Sequence, residues 1–260
     1  MSNDKFNFQQ FTINQRRSAM KVGTDGVLLG AWAKLQNEVK NPRILDIGTG
    51  TGLIALMLAQ RFPDAVIDAI EIDHEAAEEA KENVANSPWR DRINVIECSL
   101  MEFGKNLSST EHPSSITHHP SSLITSSPYH LIVSNPPFYN ATLKPDDDAR
   151  ATARHYDSLP FSQISDFAQS HLSEDGILAV IYPTNCEENI MLGIAHSALK
   201  IHTICDVCTK VGKQCKRRLA SFSRNPYIIN KETLNIMDAD SQYSKQYRDL
   251  TSEFYLQLNT

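Results

Sequence analysis

Asp46-Ile47-Gly48-Thr49-Gly50-Thr51-Gly52 joins the short apolar run Arg43 to Ile47 to a segment, Gly52 to Phe62, whose apolar residues recur at helical spacing and which stops at Pro63. The stretch therefore reads as strand, glycine-rich turn and helix. Its glycines let the backbone turn tightly and approach a ligand with no Cβ in the way. The helix start leaves N–H groups free for that ligand. The spacing is Gly-x-Gly-x-Gly rather than Gly-x-Gly-x-x-Gly, and no Gly-Lys-Ser/Thr follows, which sets aside a nucleoside-triphosphate phosphate loop. A nucleoside-type cofactor is expected at Asp46, Gly48, Thr49, Gly50 and Gly52.

The same alternation continues outward. Strands are expected at 65–70, 93–97, 129–134, 176–182, 201–207 and 218–223, and helices at 74–86, 161–171, 185–199 and 242–258. A βα alternation of this kind predicts an α/β fold, a mostly parallel sheet with helices on both faces and ligands at the carboxyl ends of the strands. The second strand ends at Glu71 and Ile72, where a carboxylate can accept hydrogen bonds from ribose hydroxyls. Asp73 is placed to cap the helix that begins at His74. Ser99, after the third strand, is placed either to meet an adenine amino group or to serve as an ordinary turn residue.

Asn135-Pro136-Pro137-Phe138 follows the fourth strand and suggests the chemistry. The exocyclic amine of adenine is a poor nucleophile because its lone pair is delocalised into the ring. The Asn135 side-chain carbonyl and the Pro136 backbone carbonyl can accept its two N–H groups. That arrangement favours a pyramidal nitrogen and stabilises charge as it develops there. The prolines fix φ and remove two competing donors, and Phe138 offers a face on which a base can stack. With the glycine turn, the run points to methyl transfer from S-adenosylmethionine to a planar nitrogen.

The chain has 260 residues, 41% hydrophobic and 22% charged, with a formal net charge of −6. It is long enough for one domain with a sizeable core. No apolar stretch reaches the ~20 residues that a membrane span needs. The first residues lack a basic segment followed by an apolar one, so no signal peptide is expected. Five cysteines without a framework spacing fit a reducing cytoplasm. Cys205-x-x-Cys208 with His202 and Cys215 resembles a zinc spacing, but Cys205 and Cys208 should point to opposite faces of a strand, so no metal is expected. Residues 104–128, rich in Ser, Thr, His and Pro, read as a mobile surface insertion, and His112, His118 and His119 within it lack partners that would fix a metal geometry.

Charge is unevenly spread. Residues 64–82 carry a net of −7, residues 200–224 a net of +6, and the first 22 residues a net of +3. The two basic segments can form one face for a polyanion or be ordinary solvated surface. Arg16, Arg17, Lys213, Lys216, Arg217 and Arg218 are the candidate RNA contacts, of the phosphate type that positions rather than specifies.

The chain resembles the bacterial tRNA1(Val) adenine-37 N6-methyltransferase family, within the Rossmann-like class I methyltransferases. The resemblance rests on Phe11 to Gln15 and Lys21 to Trp32 at the front, Asp46 to Gly52 and Asn135 to Phe138 in the middle, and the aromatic pattern Tyr243, Tyr247, Leu250, Phe254 at the end. It implies a seven-stranded sheet whose last strand is antiparallel, and transfer to N6 of the adenosine 3′ of a tRNA anticodon. It also implies that Thr24 and Asp25 lie near the amino-acid end of the cofactor, their other reading being a helix cap. Residues 1–34 are then an extension packed near the cofactor of a single domain, with no protein partner implied. The chain departs from the pattern at Ser99 and His130, where an Asp is usual. Guanine-N2 methylation of ribosomal RNA, methylation of a protein glutamine, and a non-catalytic RNA-binding protein are the alternatives. A base in an anticodon loop is already partly unstacked, which favours the tRNA reading.

Overall fold

The computed structural model describes residues 4–108, 127–137, 159–225 and 229–256. A two-stranded hairpin opens the chain, β1 (Lys5–Asn7) and β2 (Thr12–Asn14), followed by α1 (Thr24–Trp32). An alternating series follows: β3 (Arg43–Ile47), α2 (Leu53–Arg61), β4 (Val66–Glu71), α3 (His74–Ala85), β5 (Ile93–Glu97), α4 (Leu100–Ser108) and β6 (Tyr129–Ser134). Then come α5 (Phe161–His171), β7 (Leu172–Pro183), a 3-10 turn at Thr184–Cys186, α6 (Glu187–Ala195), β8 (Lys200–Lys210), β9 (Cys215–Ser223), β10 (Asn230–Met237) and α7 (Lys245–Thr251). Among the described residues, no helix is long and apolar enough to cross a membrane.

β3 to β10 form one sheet in the order β10-β8-β9-β7-β6-β3-β4-β5. Every strand runs the same way except β9, which is antiparallel to both β7 and β8. The central strands β3 and β6 are apolar and buried, as strands covered on both faces must be. One core layer, with α1, α2 and the front hairpin, covers one face, and a second layer, with α4, α5 and α6, covers the other. α1 lies close against α2 because Gly30 has no side chain: a Cβ there would meet Met57 Sδ at 2.8 Å.

Three sequence expectations change. Among the described residues the sheet has eight strands rather than seven, because Asn230–Met237 adds β10 in parallel pairing with β8. Its four leading residues are exposed, so it carries little of the apolar signal that marks the other strands. The helix expected over 242–258 is limited to Lys245–Thr251, with Ser244 capping it through a bond from Tyr247 N; Phe254 is buried in the turn that follows. Residues 104–108, expected within the insertion, are the last turns of α4. Residues 109–126, with His112, His118 and His119, lie outside the described residues.

The cysteines also differ from expectation. The β8–β9 register sets Cys208 directly opposite Cys215, and the two are joined in a disulfide. Cys205 instead belongs to the first core layer, where burial pushes its thiol up to about 12.

Candidate active site

The sheet order reverses at β3, which has β4 on one side and β6 on the other. A crevice opens at the carboxyl ends of strands on either side of such a switch. Asp46 and the glycine turn follow β3, Glu71 ends β4, and Asn135 follows β6. Three separated stretches of sequence are thereby brought to one edge. The buried Ser134 hydroxyl donates to Ile47 O at 2.9 Å, which ties the end of β6 to the end of β3 and sets Asn135 beside the glycine turn.

The turn's shape follows from its glycines. Gly48, Gly50 and Gly52 have φ of +70°, +56° and +82°, a region that other L residues enter only with strain. Nothing lies within 4 Å of the place a Cβ would occupy at Gly48 or Gly50, so their bare backbone borders open space. Gly48 N and Thr49 N both donate to Ile70 O, and Gly50 N donates to Glu71 Oε2 at 2.8 Å. Glu71 Oε1 accepts from Ile72 N and Asp73 N. Glu71 therefore braces the turn at the rim of the same open space, with Ile72 exposed beside it.

Asp46 is fully buried. Its Oδ2 accepts from the Thr49 hydroxyl at 2.6 Å and from Ala55 N at 3.2 Å, while Oδ1 has no partner among the described residues. Burial pushes its carboxyl up to about 7, against the lowering effect of the Thr49 and Ala55 bonds, and Glu71 adds to the rise. A buried carboxylate oxygen with no donor is suited to a cationic or N–H-bearing group of a ligand.

Pro136 is buried and Pro137 exposed, with Asn135 between exposed and buried. Phe138 lies outside the described residues. Thr24 and Asp25 form the first turn of α1, whose N-cap is Gly23, so neither is the cap. Asp25 instead pairs with Arg217 at 2.7 Å. Asp73 does cap α3, accepting from Ala76 N at 2.8 Å.

Of the two roles open to Ser99, the structure shows a local one. Ser99 forms a reciprocal cap at the start of α4: Glu102 Oε2 accepts from Ser99 N and from its hydroxyl, and Ser99 Oγ accepts from Glu102 N. Ser-x-x-Glu is the sequence signal for this device. His130 lies in the first half of β6, away from the carboxyl edge. It accepts from Arg43 N through Nδ1, and burial lowers its pKa and favours the neutral acceptor.

Because β9 is reversed, the β8–β9 turn projects from the carboxyl edge, the same edge as the crevice. It carries exposed Lys213, and the first residues of β9 beyond it include exposed Lys216 and then Arg217. Arg218 leaves the expected RNA-binding set: its guanidinium is held by Asp206 at 2.7 Å and by Glu187, with 17% of the side chain exposed. Arg17 pairs with Glu82 at 2.6 Å, and Arg16 stands 3.5 Å from Asp4 at the surface.

Sequence reasoning missed Ser134, the Asp25–Arg217 pair, and Glu79 and Asn83 of α3. The last two had a legible signal. They occupy the helical face of Ala76, Ala80 and Val84, where a polar residue has to find a partner.

The methyltransferase small domain family matches residues 27–106. The tRNA1(Val) (adenine(37)-N6)-methyltransferase of Bacteroides thetaiotaomicron is 42% identical over 99% of this chain and 100% of its own length. The Flavobacterium johnsoniae protein of the same name is 43% identical over 97% of this chain and all of its own. Among solved structures, an Agrobacterium tumefaciens protein described as a predicted O-methyltransferase superposes with a TM-score of 0.60 at 18% identity, covering 88% of this chain and 96% of that one. The last likeness concerns the fold alone; the two full-length relatives go further, and by them the chain belongs to the tRNA1(Val) (adenine(37)-N6)-methyltransferase family, Rossmann-like class I enzymes.

Proposed function

We propose that this enzyme transfers a methyl group from S-adenosylmethionine to N6 of adenosine 37 in tRNA1(Val). The observation that carries the reading is the meeting of the glycine turn, Glu71 and Asn135-Pro136-Pro137 at one switch point, in a chain whose full-length relatives bear that name.

The residues present fit the donor. The partnerless Asp46 Oδ1 offers an acceptor for a donor N–H group, and the open space beside Gly48 and Gly50 offers room for close backbone approach. Glu71, released from part of its bracing of the turn, presents a carboxylate to ribose hydroxyls. Thr24 and Asp25 bound the amino-acid end, and Ile72 offers an exposed apolar surface to the base. S-adenosylmethionine, when bound, supplies a methyl group on an electrophilic sulfonium.

The chain's part is positioning and charge stabilisation. Asn135 Oδ1 and the Pro136 carbonyl accept the two N–H groups of the target amine and turn its lone pair out of the ring plane. Correct alignment of such a nucleophile contributes up to ~7–11 kcal/mol in ideal cases. No general base is needed, because the proton becomes acidic as the methyl arrives. Lys213 on the β8–β9 turn and Lys216 and Arg217 at the start of β9, with Arg16 and Arg17, supply the positive rim for the tRNA backbone.

The test is incubation of the protein with labelled S-adenosylmethionine and, in parallel, bulk tRNA, ribosomal RNA or cell protein, followed by mass spectrometry of nucleosides and nuclease fragments or of peptides. Labelled N6-methyladenosine at position 37 of tRNA1(Val) is expected. Label only in N2-methylguanosine of ribosomal RNA, or only in protein glutamine, overturns the reading.

A further inference from the structure

Glu79 and Asn83 stand one turn apart on the buried face of α3, each 1% exposed. Neither belongs to the cofactor cradle or to the Asn-Pro-Pro run. Glu79 Oε1 accepts from Arg16 N at 2.5 Å and from Arg17 N at 3.0 Å, and its Oε2 accepts from Ser18 N at 2.9 Å. Asn83 Oδ1 accepts from Asn14 N at 2.8 Å. Its Nδ2 donates to Asn14 O and to Thr51 O, both at 2.9 Å.

Two side chains of one helix thus hold the front segment at four residues, and one of them also holds the glycine turn. Three successive backbone N–H groups around one carboxylate make an anion nest of the kind that favours the ionised form. Such charge-assisted bonds are roughly twice as strong as neutral ones. Burial works to raise the Glu79 carboxyl, and the bonds from Arg17, Ser18 and Arg16 outweigh it and leave it lowered.

The hold extends to α1. Gln15 Oε1 accepts from Val22 N at 2.7 Å, and Gln15 O accepts from Lys21 Nζ at 2.5 Å, so the loop between them is closed on itself. Thr24 and Asp25 begin α1 immediately beyond. On the other side, Ala80, between the two anchors, lies 3.6 Å from the place a Cβ would occupy at Gly52, at the end of the turn.

We propose that Glu79 and Asn83 are positioning residues for the cofactor pocket: they latch residues 14–18 to the glycine turn and so fix Thr24 and Asp25 against the cradle. The inference rests on the donor reading given above. The latch acts on cofactor affinity, because it joins two walls of the cofactor site and does not reach the Asn-Pro-Pro run.

The test uses the full chain with Glu79→Gln, Asn83→Ala and, as a surface control on the same helix, Glu78→Gln. Calorimetry with S-adenosylhomocysteine should show Kd weakened about tenfold in the first two variants and unchanged in the control. In initial-rate assays the KM for the donor should rise by the same factor, with kcat at saturating donor and tRNA within about twofold of the parent. Glu79→Asp, which keeps the charge on a shorter stem, should recover part of the loss. An unchanged Kd in folded Glu79→Gln and Asn83→Ala overturns the proposal, as does a loss confined to kcat or to the KM for tRNA. If the variants do not fold, hydrogen exchange on the parent protein decides. S-adenosylhomocysteine should slow exchange at the amides of residues 16–18 at least tenfold, and no change there overturns the latch. If S-adenosylhomocysteine fails to bind the parent at all, the donor reading falls first and the latch with it.

Discussion

Asp46→Asn should stabilise the ligand-free protein against rising pH while weakening its grip on the cofactor. The buried carboxyl sits at about 7 against an ordinary 3.8, a rise of about three units, each worth 1.36 kcal/mol. In the folded chain the protonated form is favoured, so between about pH 4 and pH 7 the native state binds more protons than the unfolded state. Stability therefore falls as pH rises through that window, by at most ~4 kcal/mol from this one group. An asparagine fills the same space, keeps an oxygen toward the Thr49 hydroxyl and cannot titrate. It leaves an amide donor unpaired where Oδ1 stands, a penalty of ~1–3 kcal/mol that does not vary with pH. The informative quantity is consequently the difference in unfolding free energy between variant and parent, measured by urea denaturation at several pH values between about 5 and 8. Groups common to both proteins cancel, and the difference should shift in the variant's favour by about 2–4 kcal/mol across the range. S-adenosylhomocysteine binding to the variant should weaken at the same time, the usual conflict between stability and a strained binding site. A difference that stays flat with pH would show that the Asp46 carboxylate is not strained by burial, and the case for Oδ1 as a ligand acceptor would go with it.

Asn135→Ala should lower kcat by about a hundredfold or more while leaving S-adenosylhomocysteine affinity near that of the parent, as for loss of one donor or acceptor at a developing charge; a calorimetric titration and a single-turnover assay separate the two effects. Reversing charge at Lys213 and Lys216 together should reduce the slope of log K for tRNA against log salt by about one to two, at ~0.7–0.9 per phosphate contact. Arg218→Ala should leave that slope unchanged, because its guanidinium is held by Asp206 and Glu187, and it should instead lower thermal stability. Gly30→Ala should destabilise by about 1–3 kcal/mol, since the new methyl meets the buried Met57 side chain in the α1–α2 contact, and in a Met57→Ala background, itself destabilised, the same substitution should cost much less, as a double-mutant cycle in chemical denaturation reads.

Some of this site was legible in the sequence because its chemistry is local. The left-handed turns at Gly48, Gly50 and Gly52 need glycine wherever they occur, and the acceptors proposed for Asn135-Pro136-Pro137 lie within three residues of sequence. Asp73 capping α3 is a rule of three residues' reach. What was not legible depends on pairings across the sheet or between layers. Arg217 meets Asp25 across 192 positions, and Arg218 meets Asp206 only through the β8–β9 register. The disulfide between Cys208 and Cys215 likewise needs that register. The expected C-terminal helix shows the opposite failure: Tyr243, Tyr247, Leu250 and Phe254 do share a buried side at three- and four-residue spacing, yet only part of that run is helical, because a turn can bury Phe254 as well as a helix can.

The one reversed strand explains why charge and chemistry share an edge. In an all-parallel sheet, the segment joining β8 to its neighbour would cross back to the amino edge. β9 instead follows β8 after a four-residue turn and runs back beside β7, which pairs Pro183 with Arg217 and leaves Lys213 and Lys216 at the carboxyl edge. The positive residues are thus carried by a sheet hairpin rather than by a free loop, with Thr184 Oγ1 donating to Cys215 O at its base. Arg217 lies at the join: it faces the rim on which the tRNA backbone is proposed to rest, yet its Nε donates to Asp25 in the first turn of α1. On that proposal, a phosphate arriving at Arg217 competes directly with Asp25 for the guanidinium, and the proposed α1 wall of the cofactor site is linked to RNA binding through one side chain. Arg217→Lys, which keeps the charge but loses the planar fork, should therefore disturb both the affinity for tRNA and that for S-adenosylhomocysteine, whereas Lys213→Ala should disturb only the first. Isothermal titration of each ligand against both variants checks the pairing, and an Arg217→Lys protein that binds S-adenosylhomocysteine as the parent does would break the link.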